Sequence, residues 1–107
     1  MTDFNDRKRA EEAKYVMDQD TAFRVMARRN RLVGQWAAEK MNLTSEETDA
    51  YAKAVVQADF EEAGDEDVIR KLLGDLTAAG VEVDESAVRA ALAEKTIEAR
   101  RQLMGEA

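Results

Sequence analysis

Apolar positions along the chain fall into stretches with helical spacing. Between Thr21 and about Met41, the residues Ala22, Met26, Val33, Trp36, Ala37 and Met41 recur mostly at steps of three, four or seven, which sets them on one helix face. The stretch NLTSEE at 42–47 stops that helix and starts another, because Thr44 with Glu47 three residues on fits a capping box. Tyr51, Val55 and Ala58, with Ala52, Val56 and Phe60, supply the next inner face. Gly64 tolerates the left-handed backbone of a helix end, and Asp65 is placed to cap a third helix with an acidic first turn. Val68, Ile69, Leu72, Leu73 and Leu76 form the strongest apolar stripe, which ends at Gly80. Asp84 caps a last helix with Val88, Leu92, Thr96, Ala99 and Leu103 inward and Gly105 beyond its end. Helices are thus predicted at about 21–41, 45–63, 66–79 and 85–104, joined by short connections that make neighbours antiparallel. The fold class expected is all-α, with residues 21–107 forming a four-helix bundle.

The first twenty residues read differently. Residues 3–17 are good helix formers: Asp3 or Asn5 can cap, and Arg7 with Glu11 and Lys8 with Glu12 lie four apart. Their apolar face is only Ala10, Ala13, Val16 and Met17, with Phe4 and Tyr15 elsewhere, and an isolated helix of this length is marginal in water. Asp18 and Asp20 also oppose the dipole at the segment's C-terminal end. Residues 1–20 are therefore expected to be a mobile, conditionally helical segment, disordered or fraying when free and helical on a partner that supplies apolar surface. The plainer alternatives are a mobile terminus without a role or an extension of the next helix.

Composition narrows the chemistry. A chain of 107 residues has room for one domain, and 36% charged residues, no proline and an alanine-rich apolar fraction suit helices with narrow stripes. Cysteine and histidine are both absent, which removes thiolate and imidazole ligands, cysteine nucleophiles and the usual hydrolase base. No glycine-rich phosphate loop follows a strand, so no enzyme and no cofactor are expected. The acidic cluster Asp59, Glu61, Glu62, Asp65, Glu66 and Asp67 lacks the ligand and glycine pattern of an EF-hand and reads as helix end, turn and cap, with no metal site. The polar start and the lack of an apolar run long enough to span a bilayer predict a cytoplasmic protein without direct membrane insertion.

Charge is uneven. Residues 1–40 carry nine basic and seven acidic side chains, whereas residues 41–107 carry seven and sixteen, so a front of +2 sits on a body of −9. Arg24, Arg28 and Arg31 share one helix face with Arg29 beside them. Nucleic acid is disfavoured as their partner because the acidic body repels phosphate. A solvated face pairing with the acidic helices, or a secondary docking face, fits better. Trp36 and Tyr51 read as core residues, and a small pocket between helices holding a nucleotide-like ligand stays open.

Three stretches, TDFNDRKRAEEAKY, ARRNRLVGQWAAEKM and DFEEAGDEDVIRKL, resemble in order and separation the zeta subunit, or ATPase inhibitor subunit, family of alphaproteobacterial F-type ATP synthases. The resemblance runs over essentially the whole chain. It implies a monomeric bundle, peripheral to the inner membrane through the synthase, with an inhibitory N-terminal segment. That segment would enter the cleft between a catalytic beta and an alpha subunit near the gamma shaft, fold there and block rotation in the hydrolysis direction. Carried over residue by residue, Phe4, Asp6, Arg7, Arg9, Ala10, Ala13, Lys14 and Tyr15 would form the docked helix, with the bundle controlling how far the segment can enter. The chain departs from the family in two places: no histidine follows Tyr15 and Val16, and Lys8 stands where an acidic residue is common. Histidine-based pH sensing is therefore not implied. The rival expectation is a helical adaptor or small-ligand-binding protein with weak or no inhibitory activity.

Overall fold

In a computed structural model, the backbone of residues 3–61 and 64–105 and the side chains of residues 20–59 and 64–105 are described. Within them the chain forms α1 (Asp3–Lys40), α2 (Ser45–Glu61), α3 (Asp65–Ala78) and α4 (Glu85–Leu103), with no strand among the described residues. Each helix packs on the next and α4 returns to α1, so the four close a ring in which α2 and α4 lie across from each other, with no close backbone approach among the described residues. Asn30 meets Asp59 while Gly34 meets Ala52, so α1 and α2 run antiparallel.

Each bundle helix ends where backbone chemistry dictates. At the end of α1, Asn42 takes a left-handed φ of 60°, and the Leu43 and Asn42 amides donate to the Ala38 and Glu39 carbonyls at 3.0 and 3.1 Å, a Schellman closure. The Thr44 amide then donates to Glu47 at 2.8 Å and the Glu47 amide to the Thr44 hydroxyl at 3.1 Å, completing the expected capping box. The bond from the Thr44 backbone amide first, and the Thr44 hydroxyl second, hold the Glu47 carboxyl below its ordinary pKa. Asp84 accepts from the Ala87 amide at 2.8 Å at the head of α4. Asp65, expected as a cap, is instead the first residue of α3: Gly64 is the N-cap, without a side-chain cap bond.

The three later helices begin and end close to expectation, whereas α1 begins at Asp3 rather than near Thr21. Nothing at 18–20 breaks a helix; the residues are Asp, Gln and Asp, with neither glycine nor proline. At about 1.5 Å per residue, the 38 residues of α1 span roughly 57 Å and account for most of the molecule's 66 Å length.

Val33, Val55, Val68, Leu72, Leu76 and Val88 are fully buried, with Trp36, Met41, Tyr51, Leu73, Val81 and Val83 packed around them. Ala22, expected to point inward, is exposed. The interior line of α1 instead runs Val25, Arg29, Val33 and Ala37, four residues apart. Where α1 crosses α2 the two backbones nearly touch: a Cβ on Gly34 would lie 2.8 Å from the Ala52 Cα and 3.3 Å from Val55 Cγ2. Only glycine fits that crossing, although glycine costs helix propensity.

Arg29 and Asn30 are polar yet 3% and 1% exposed. Burial without partners would cost several kcal/mol, so their bonds are the structural content. The Arg29 guanidinium donates from Nε and Nη2 to Asn30 Oδ1 at 3.1 and 2.8 Å, and from Nη1 to Asp65 Oδ1 at 2.9 Å. Asn30 Nδ2 donates to Asp59 Oδ2 at 2.8 Å. Among the described residues no buried side-chain nitrogen or oxygen lacks a partner. One helix of the ring is thus tied to the end of α2 and the start of α3, and Asp59 and Asp65 are anchors rather than the helix-end and cap residues expected.

Three outcomes follow for urea denaturation. Gly34→Ala should lower stability by about 1–3 kcal/mol through overpacking, whereas Gly74→Ala, with open space at its Cβ, should raise it by up to about 1 kcal/mol. Arg29→Met should cost about 1–3 kcal/mol by leaving the buried Asn30 oxygen unpaired, against less than about 0.5 kcal/mol for exposed Arg31→Met. Because the folded-state pKa of Glu47 is depressed, its contribution is present above the ordinary value of 4.5 and disappears as pH falls through the lower folded-state value. The difference in midpoint between wild type and Glu47→Gln should therefore close on acidification.

Candidate partner-binding site

The eight residues expected in the inhibitory segment, Phe4, Asp6, Arg7, Arg9, Ala10, Ala13, Lys14 and Tyr15, lie on the N-terminal part of α1, and their side chains lie outside the described residues. What the structure gives is where the bundle stops. Val56 and Asp59 near the end of α2 line a depression with α1 residues 22–30, and Leu103 and Met104 at the end of α4 line others with α1 residues 21–31. Val25 is the first buried residue of α1 among those described. Toward its N-terminus α1 therefore runs on from the end of the bundle to Asp3.

Arg24, Arg28 and Arg31 are brought together on the outer face of α1 at this same end, and all three are exposed. The expected pairing with the acidic helices is not what they make. Arg24 Nε lies 3.3 Å from Asp20 of its own helix, with both side chains about two-thirds exposed. Arg28 Nη1 donates to the neutral Gln102 amide oxygen at 3.4 Å, and among the described residues Arg31 has no ion pair. Arg29, grouped with them by sequence, points the other way into the bundle.

Beside the arginines lies an apolar surface that spacing alone did not reveal. Phe23 is 56% exposed, and with Ala27, half-buried Val56 and half-buried Leu103 it lines the floor that the three arginines border. Val56 and Leu103 were expected to face inward; they sit at the margin instead. The one signal available was Phe23 itself, a large apolar residue placed off the buried 25, 29, 33 line.

The adjoining depression between α1 and α2 holds about 360 Å³, with Ala22, Phe23, Met26, Ala27 and Val56 as apolar lining and Asn30 and Asp59 as its polar groups. Asn30 is already bonded to Asp59, and a carboxylate repels phosphate, so this depression does not suit the nucleotide-like ligand considered from sequence. Tyr51, half-buried as expected of a core residue, donates its hydroxyl to Asp75 at 2.7 Å. Lys71 reaches the same carboxylate at 3.1 Å and lies 5.2 Å over the Tyr51 ring. Burial first, then the Asp75 bond, pushes the phenol far above its ordinary range, so it stays protonated and supplies no base. Trp36 is likewise half-buried, with the Lys40 ammonium 5.2 Å over its ring. Among the described residues no cluster of acidic side chains is arranged to hold a metal ion, and no helix is long and apolar enough to cross a membrane.

Comparison with known proteins bears on this arrangement directly. A solved structure determined by solution NMR is 48% identical in sequence and superposes with a TM-score of 0.69, covering 79% of this chain and 96% of its own. No curated protein matches the chain. The family model described as ATPase inhibitor subunit zeta matches residues 1–102, taking in the N-terminal stretch as well as the bundle. The chain belongs to the ATPase inhibitor subunit zeta family.

Proposed function

We propose that this protein inhibits ATP hydrolysis by an F-type ATP synthase by inserting residues 1–20 as a helix at a catalytic alpha/beta interface beside the gamma shaft. Membership in an ATPase inhibitor family supports an inhibitory role in general. The observation that favours this mechanism is the geometry of α1: the bundle ends beside its residues 21–31, and the helix runs on to Asp3. A scaffold that carries one helix beyond its own core presents that helix to something else.

The residue types suit a wedge. Ala10 and Ala13 keep one side of the helix narrow enough to pass between subunits, while Phe4 and Tyr15 are large anchors near its two ends. Asp6, Arg7, Arg9 and Lys14 provide charges for a polar rim. Ordering such a segment on its partner costs several kcal/mol, which the interface must offset with extensive contact. The action is mechanical: a rotor is blocked, and no bond in the inhibitor is made or broken. In this reading the free protein is a monomer in the cytoplasm that becomes peripheral to the membrane through the synthase, with the alpha, beta and gamma subunits as its contacts.

The test is ATP hydrolysis by the isolated catalytic headpiece, with the full chain or a version lacking residues 1–20 added. The full chain should suppress turnover, and the shortened one should fail to do so at the same concentration. Equal inhibition by both would place the inhibitory contact on the bundle. Absence of binding by the full chain would favour the adaptor reading instead.

A further inference from the structure

We propose that Arg29 and Asn30 are positioning residues for inhibition: by locking the rotation of α1 inside the bundle they set, through unbroken helix, the rotational phase in which residues 3–17 enter the headpiece. The inference rests on the inhibitory reading above and concerns how the segment is aimed, not whether it acts. Three observations carry it. The lock is directional, because the buried Arg29 guanidinium reaches Asp65 at the start of α3 and the buried Asn30 amide reaches Asp59 near the end of α2. Turning α1 about its axis would strand both. The helix is continuous, since α1 runs from Lys40 back to Asp3 with Asp18, Gln19 and Asp20 inside it, so residues 3–17 share the rotation of residues 25–37. The body is lopsided: α2, α3 and α4 pack on the inner side of α1, and the molecule is 27 by 22 Å across, whereas one helix with its side chains is about 10–12 Å wide.

At about 100° per residue, Ala10, Ala13 and Met17 fall on the side of α1 turned away from the buried line Val25, Arg29 and Val33, whereas Phe4 and Tyr15 fall on the same side as that line. The small positions are thus placed away from the bundle, and the two large ones on the side from which it hangs. A cleft between two unlike subunits has two unlike walls, so a helix entering it must offer each wall a particular face. A bare peptide would turn until the faces matched. Here the segment cannot turn without carrying α2, α3 and α4 around the mouth of the cleft, from the rim of one subunit to the rim of the other. The bonds of Arg29 and Asn30 therefore fix both which face meets which wall and over which rim the bundle lies. Such preorganisation removes orientations that a flexible tether would have to search.

The experiment measures inhibition of ATP hydrolysis by the isolated headpiece with full-length chains, and binding by titration in parallel. Two alanines inserted after Gln19 turn the segment by about 200° and lengthen α1 by about 3 Å, whereas four turn it by only about 40° while lengthening it by about 6 Å. Both insertions leave every bundle residue in place. Half-inhibition by the two-alanine chain should need about tenfold more protein than wild type, and the four-alanine chain should recover to within about threefold. A second set of variants addresses the lock itself. Arg29→Met with Asn30→Leu keeps the burial and removes the directional bonds. With its bundle shown folded by circular dichroism and urea denaturation, this chain should inhibit about fivefold more weakly. Asp18→Gly, Gln19→Gly and Asp20→Gly together uncouple the segment, and in that background the same double substitution should change binding by less than about twofold, as independent sites do. Loss that grows steadily from two alanines to four, or no loss with either, would overturn the phase, and that arm decides whether or not the Arg29/Asn30 variant folds. An equal effect of the double substitution in both backgrounds would overturn the positioning role of Arg29 and Asn30. In each of these cases wild type still inhibits and the wedge stands, whereas wild type that does not inhibit overturns the wedge and this inference with it.

Discussion

Arg29 and Asn30 lie side by side beneath the junction of α2 and α3, and the orientation of α1 depends on their bonds. Apolar contacts are non-directional; a stripe of valines and alanines would tolerate modest rotation of one helix against its neighbours at little cost. A buried guanidinium and a buried amide tolerate none, because each lost bond leaves a polar group desolvated and unpaired. With Arg29 reaching Asp65 and Asn30 reaching Asp59, α1 has one rotation about its axis. That rotation sends Val25, Val33 and Ala37 inward, sets Gly34 against the Ala52 backbone, and turns Phe23, Arg24, Arg28 and Arg31 outward. The outer face of α1 is a consequence of a buried interaction.

The same tie bears on the energetics of the N-terminal segment. An isolated helix of fifteen or so residues is marginal largely because its first turn is costly to nucleate. Here the bundle half of α1 is already wound and held by tertiary contacts, so helix toward Asp3 grows by propagation from an existing end. The weak apolar face of residues 3–17 is then no obstacle to forming helix; it means only that the gain per residue is small. A segment in that balance folds readily where a partner adds contact, and the alanines that make its face weak also make it narrow.

Much of the bundle was legible because its signals are local. Thr44 with Glu47, Asp84 with the amide of Ala87, and the glycine at position 80 each act over one turn of backbone, and each did what spacing implied. The composition changes at residues 18–20 without ending the helix, because backbone ends only where capping or steric chemistry ends it, and α1 continues back to Asp3 as the alternative of an extended helix allowed. Arg29 was grouped with the surface arginines by residue type, although it stands four residues from each of two buried valines, a position that outweighs type when partners are at hand. Those partners, Asp59 and Asp65, sit 29 and 36 positions away in sequence from Asn30 and Arg29, and no local pattern connects them. The residues of the outer face divide the same way: Arg24, Arg28 and Arg31 share a face by spacing alone, while Val56 and Leu103 join that face only through tertiary packing.

Two designs for one helix are therefore superimposed on α1. Its C-terminal half is committed, with glycine and alanine at a backbone crossing and polar groups that accept a single set of partners. Its N-terminal half is uncommitted, with small side chains and charges. The join falls beside the ends of α2 and α4, where the described surface changes from buried to exposed between Val25 and Phe23. A helix free to rotate about its axis in the bundle would present any face of its far end, whereas the bonds of Arg29 to Asp65 and of Asn30 to Asp59 allow one. The burial of Arg29 and Asn30 thus fixes, along the whole length of α1, which face each of its positions presents.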